Sequence, residues 1–92
     1  MPAVFLHGVP DTPQVWDRTL SCLAREDVMC LRLPGFGAPR PADFDATKDA
    51  YADWLLETLD RIEGPLDLVG HDWGGILILR ALTLAPDFAH SW

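Results

Sequence analysis

The sequence is short of positive charge, cysteine, tyrosine and long apolar runs, and each shortage closes off a class of function. Seven Lys plus Arg stand against fourteen Asp plus Glu, a formal net charge of −7. That balance repels phosphate backbones and anionic headgroups, so nucleic acid is not an expected partner. The most apolar stretch, Ile76 to Ala85, is interrupted by Arg80 and Thr83 and falls far short of the roughly 20 residues that cross a bilayer. No membrane partner is expected either. The opening Met-Pro-Ala-Val-Phe-Leu-His-Gly lacks the basic region, apolar segment and cleavage site of an export signal, which makes the cytoplasm the default expectation. Cys22 and Cys30 match no metal-ligand spacing and make a poor disulfide framework. Both are expected to be reduced and mostly buried as small hydrophobes, with no metal and no cofactor implied.

What is present is a chain of 92 residues, 49% hydrophobic and 23% charged, enough for one small core and a single domain over 1–92. Ala3-Val4-Phe5-Leu6 is a continuous apolar run that stops at His7-Gly8-Val9-Pro10, as a strand buried on both faces does. Asp11, Thr12 and Pro13, followed by Trp16, Leu20 and Leu23, predict a helix over about 13–25. Val28 to Leu33 reads as a second strand, ended by Pro34-Gly35 and a loop carrying Pro39 and Pro41. Tyr51, Leu55, Leu59 and Ile62 fall on one helical stripe beginning near Thr47 and closed by Gly64-Pro65. Leu66, Leu68 and Val69 predict a third strand, and Ile76 to Leu84 a helix apolar enough that nearly complete burial is expected. The order β-α-β-α-β-α implies an α/β fold: a three-layer α/β/α arrangement on a parallel three-stranded sheet. The chain begins on a strand and ends just after a helix without polar capping elements, so it reads as a piece of a larger sheet with exposed edges that favour self-association.

The chemistry concentrates in Leu68-Val69-Gly70-His71-Asp72-Trp73-Gly74-Gly75, an apolar strand that turns through Gly-x-Asp-x-Gly-Gly into an apolar helix. This is the nucleophile-elbow pattern, in which a sharp turn pushes the central side chain outward and crowds out anything large at positions 70, 74 and 75. Asp72 alone also suits a plain helix N-cap. The glycines do not have phosphate-cradle spacing, and a carboxylate in that turn would repel phosphate. Trp16 and Trp54 read as core or rim aromatics.

With His7-Gly8-Val9-Pro10 and Leu33-Pro34-Gly35-Phe36-Gly37 in the same order, the chain resembles the α/β-hydrolase superfamily. It is most similar to the aspartate-nucleophile branch of epoxide hydrolases and haloalkane dehalogenases, and it covers only the first part of such a protein. The resemblance implies that Asp72 attacks a small apolar electrophile, an epoxide or an alkyl halide, to form an alkyl ester. Backbone N–H groups of Val9 and Trp73 would hold the oxyanion when water attacks that ester. His7, Gly8, Pro10, Gly70, His71, Gly74 and Gly75 would support the motifs. Some dehalogenases hold the halide with the indole after the nucleophile, which Trp73 matches, but one large subgroup carries asparagine where Val9 stands. That favours the epoxide hydrolases.

The family's histidine and second acid lie far downstream of the elbow. Of the three histidines here, His90 follows Asp72 by only eighteen residues and is not expected to be the base. In the epoxide hydrolases that the chain resembles, a cap segment supplies tyrosines that protonate the leaving oxygen, whereas the single tyrosine here, Tyr51, sits on a helix stripe. The chain alone is therefore expected to be inactive. The rival expectation is a non-catalytic module or a subunit that needs a complementary half.

Overall fold

The computed structural model describes residues 2–92. Strand β1 (Ala3–Leu6) leads through a 3-10 turn (Pro13–Trp16) and a short α1 (Asp17–Ser21) to β2 (Val28–Leu31). A small ribbon of β3 (Leu33–Pro34) and β4 (Gly37–Ala38) follows, then α2 (Lys48–Asp60), β5 (Leu66–Gly70), α3 (Trp73–Leu84), a second 3-10 turn (Pro86–Phe88) and β6 (Ala89–Ser91). The main sheet runs β2-β1-β5-β6 with every pair parallel. The α/β architecture with a parallel sheet and helices matches expectation, with a fourth strand added at the edge.

Every residue of β1 is buried, because the strand is central and covered on both faces. Its alternation divides the core in two. Val4 and Leu6 face Leu55 and Leu59 of α2 and Leu77 and Ile78 of α3, whereas Ala3 and Phe5 face Trp16. Phe5 and Trp16 meet edge to face with centroids 5.0 Å apart. Helix α2 starts where Thr47 Oγ1 accepts the Ala50 N–H at 3.1 Å, a cap braced by Asp45 Oδ1. Tyr51 lies on the predicted stripe and donates its hydroxyl to Pro34 O at 2.7 Å, tying α2 to the β3 ribbon.

Four sequence expectations change. The helix expected over 13–25 is only a 3-10 turn and one short helix. Thr12 makes no capping bond, and Leu23 is exposed, so little apolar burial offsets the cost of nucleating more turns. The strand expected to reach Leu33 stops at Leu31, because the Leu33 N–H leaves the ladder for the His7 ring. Helix α3 is not nearly buried: Ile76 is 53%, Leu79 47% and Leu84 50% exposed, since α2 and the sheet cover only the side carrying Gly74, Leu77, Ile78 and Ala81. Cys22 is exposed just past that short first helix, while Cys30 is half-buried, with its thiol pushed up by burial. Among the described residues no helix is long and apolar enough to cross a membrane.

From β1 the chain moves to β2 on one side, then returns across β1 to β5 on the other. The order reverses between β1 and β5, and a crevice opens at the carboxyl ends of parallel strands at such a switch point. His7-Gly8-Val9 and Gly70-His71-Asp72 both lie at that end.

Candidate active site

The pairing of Leu6 with Gly70 brings the ends of β1 and β5 level, and the His71 N–H extends the ladder to Leu6 O at 3.2 Å. Gly74 N–H then closes on His71 O and Ile76 N–H on Asp72 O, so the helix begins at once. Fitting a strand end and a helix start into so few residues forces Asp72 to φ 58°, ψ −126°. An L residue rarely occupies that region, at a cost on the order of 1–3 kcal/mol, and the surrounding contacts hold it there.

Asp72 makes no side-chain capping bond into α3. Its carboxylate is exposed, and Oδ2 accepts the Val9 N–H at 3.2 Å. The Trp73 and Val9 N–H groups hold the carboxyl below the usual carboxylate range, against a small opposing effect of burial and with a minor contribution from His71. Two amides, one from each sequence motif, thus act on one carboxylate.

The backbones approach closely enough to require glycine at particular places. A Cβ on Gly8 would lie 2.5 Å from Asp72 Cβ and 2.6 Å from Asp72 Oδ2, and one on Gly74 would strike the carbonyl of Leu6. A Cβ on Gly70 would meet Gly75 Cα at 2.6 Å, but one on Gly75 itself would make only ordinary contacts at 3.7 Å. The crowding expected at all three elbow glycines is therefore absent at Gly75, because its Cβ direction points away from the strand.

His7 is completely buried and bonds through both ring nitrogens, to Gly8 O and to the Leu33 N–H. His71 is exposed beside Asp72, with Nδ1 3.9 Å from Asp11 Oδ2 and its ring edge-on to Trp16 at 6.4 Å. Pro10 follows Val9 through a cis peptide bond. Trp73 is 44% exposed. Trp16 is buried in the core, as expected of a core aromatic.

His90 stands elsewhere. It lies on β6, where its Nδ1 is 3.0 Å from Asp67 Oδ1. Ser91 Oγ donates to the same oxygen at 2.7 Å, and Arg25 Nη2 donates to Asp67 Oδ2 at 2.9 Å. Asp67 is the second residue of β5 and Asp72 lies beyond its other end, so this cluster and the elbow occupy opposite ends of the sheet. Sequence reading passed over the cluster and the Leu33 link to His7. An acid between two buried leucines, Leu66 and Leu68, was the available signal for the first. Among the described residues no group of three or more His, Cys, Asp or Glu side chains is arranged to hold a metal ion.

Comparison with known proteins gives this geometry a context. The chain is 32% identical to a haloalkane dehalogenase of Psychrobacter cryohalolentis and 33% identical to an epoxide hydrolase of Caballeronia sordidicola, each over 94% of its length. It is 27% identical, again over 94% of its length, to an (E)-2-((N-methylformamido)methylene)succinate hydrolase of Acinetobacter baylyi. The chain spans only 28% to 34% of the length of these relatives. An extracellular alpha/beta-hydrolase from a Paenibacillus species superposes with a TM-score of 0.72 at 22% identity, over 97% of this chain and 38% of that one. The model of the alpha/beta hydrolase family matches residues 3–91, and the chain belongs to that family.

Proposed function

We propose that this chain carries the nucleophile and oxyanion half of a hydrolase that opens an epoxide, or displaces halide from an alkyl halide, through an ester on Asp72. The observation that carries the reading is the Asp72 carboxylate, projected by a strained strand-to-helix turn and held by the Val9 N–H at 3.2 Å. With the carboxyl held low by the Trp73 and Val9 amides, the nucleophile is ionised at neutral pH without a base. Oδ1 attacks the electrophilic carbon, and the electrons of the breaking C–O or C–halogen bond leave with oxygen or halide. Oδ2, already at the Val9 N–H, becomes the ester carbonyl oxygen. When water adds to the Asp72 carbonyl carbon, the negative charge develops on that same oxygen, where fixed donors stabilise it without rearrangement.

Hydrolysis of the ester needs a base for water. His7 has both nitrogens engaged, and His90 is on Asp67 at the other end of the sheet. His71, the remaining histidine, precedes Asp72 within the elbow with its Nδ1 3.9 Å from Asp11 Oδ2, and the family resemblance puts the base far downstream instead, so the chain by itself is expected to stop at the ester. Epoxide opening is further slowed because the only tyrosine hydroxyl is committed to Pro34 O. Identity to both a haloalkane dehalogenase and an epoxide hydrolase supports either electrophile. The indole of the exposed Trp73 favours the halide, whereas Val9 brings no side-chain donor of its own.

A second reading rests on the bare side of α3. Ile76, Leu79 and Leu84 are exposed, and Leu79 joins Trp92 in lining an apolar groove of about 230 Å³. On this reading the chain completes its site only by pairing with a complementary partner through that side and the adjoining sheet edge.

The test is to incubate the folded chain with a reactive primary alkyl bromide and locate the adduct by peptide mass spectrometry. One alkyl group on Asp72, absent in Asp72→Asn, is expected. A folded chain modified only at Cys22 or Cys30 would sink the nucleophile assignment, and sustained turnover would sink the claim that the chain stops at the ester.

A further inference from the structure

His7 is the one buried polar side chain in the described core, and nothing in the proposed chemistry uses it. Its hydrogen bonds determine where its proton lies. A backbone N–H can only donate, so Nε2, which receives the Leu33 N–H at 3.1 Å, carries no proton. A carbonyl can only accept, so Nδ1, 2.9 Å from Gly8 O, carries it. Leu33 thus selects the tautomer from 26 positions away. Gly8 O also accepts the Asp11 N–H at 3.0 Å.

The Gly8 carbonyl and the Val9 N–H belong to one planar trans peptide unit, so they point in opposite directions. Whatever holds the oxygen at one end aims the N–H at the other, and that N–H meets Asp72 Oδ2. If the unit turned over, it would present a carbonyl oxygen to a carboxylate, which is repulsive, and would remove one of two oxyanion donors. Gly8 is free of a Cβ because Asp72 lies against it, so no side chain at that position restrains the turn.

We propose that His7 is a positioning residue: in its Nδ1–H tautomer, selected by the Leu33 N–H, it holds the Gly8 carbonyl away from Asp72 and thereby aims the Val9 N–H at the Asp72 carboxylate. The proposal rests on the reading of Asp72 as the site, but its geometry can be measured without any chemistry at Asp72. It makes the Leu33-Pro34-Gly35-Phe36 turn a support of the site, since the N–H that fixes the tautomer comes from that segment.

The test uses the full chain labelled with ¹⁵N. In the unsubstituted protein, two-bond proton–nitrogen correlations should place the His7 proton on Nδ1. The Val9 amide resonance should move as the Asp72 carboxyl titrates, a response that Asp72→Asn removes. Two substitutions then separate positioning from filling. In His7→Asn the side-chain amide replaces Nδ1 and still donates to Gly8 O, so the Val9 response should persist. In His7→Gln the amide replaces Nε2 and reaches Leu33 instead, so the response should be lost although the longer side chain fills more of the space. A merely structural histidine predicts the opposite order.

A proton on Nε2, an undiminished Val9 response in His7→Gln, or a response lost equally in both variants would overturn the proposal. If His7→Gln does not fold, the tautomer and the behaviour of His7→Asn decide it. Failure of Asp72 to be alkylated while the Val9 response follows this pattern would overturn the nucleophile reading and leave the positioning role intact.

Discussion

The Val9 N–H donates to Asp72 Oδ2 at 3.2 Å across 63 positions of sequence. Neither residue owes its place to a neighbour in the chain. Val9 follows β1, Asp72 follows β5, and the pairing of Leu6 with Gly70 sets the two ends side by side. If Asp72 acts as proposed, the Val9 amide already in contact with its carboxylate would serve as a donor that needs no reorganisation when charge develops.

The closeness of that approach is testable at Gly8. Gly8→Ala would force a methyl group against Asp72 Cβ and Oδ2. It is expected to destabilise the chain by about 1–3 kcal/mol in urea titrations, as overpacking does, and to abolish alkylation at Asp72. Gly75→Ala, whose Cβ finds only 3.7 Å contacts, should change stability far less. Equal effects from the two would contradict the described packing.

Asp72 should also show its electrostatics in a pH profile. Its carboxyl is held below the ordinary carboxylate range by the Trp73 and Val9 amides, so the ionised form persists down to the ordinary value of about 3.9. The rate of adduct formation should be flat from pH 8 to about pH 5. A rate that falls through pH 6 to 7 would point to a histidine in the first step, with His71 the one adjacent to Asp72.

At the opposite end of the sheet, Ser91, His90 and Arg25 all bond to Asp67, and they push its carboxyl far below its usual range. Because the folded value is depressed, the stabilisation is complete above the unfolded value of about 3.9 and is lost as pH falls below it toward the folded value. Asp67→Asn should therefore lower the melting temperature at pH 7 and lessen its further fall on acidification below pH 4. An unchanged acid dependence in that variant would remove the cluster from the account of stability.

Much of this fold was legible because its signals are local. The run Ala3–Leu6, the stripe of α2 and the glycine-bounded turn around Asp72 each carry their pattern within one element. What escaped depends on partners distant in sequence. Ala89-His90-Ser91 has no strand signal and becomes β6 only by pairing with Leu66 and Asp67. His7 looks like part of a turn until the Leu33 N–H is found on its ring. Helix α3 has the composition of a fully covered helix, yet composition does not say which of its sides are covered within the chain.

That uncovered side yields a prediction on assembly. Ile76 and Leu79 lie a helical turn apart on the exposed side of α3, and Trp92 beside them is 74% exposed. Sedimentation should show species larger than a monomer, and the double substitution Ile76→Glu with Leu79→Glu should weaken association by about tenfold or more. A sharp monomer boundary at high concentration in the unsubstituted chain would contradict this.

The four-residue match of β1 with β5 acts as a vernier for the whole crevice. Each residue along a strand advances about 3.3 Å and turns its side chain to the other face. A single insertion or deletion between Leu66 and Gly70 would carry Asp72 a full step from Val9 or drive the leucines of β5 out of the core. By contrast, the stretch from Pro39 to Asp43 lies outside the strands and helices, and its length enters closure only logarithmically. The chain can lengthen or shorten there while the distance from Val9 to Asp72 stays where the ladder sets it.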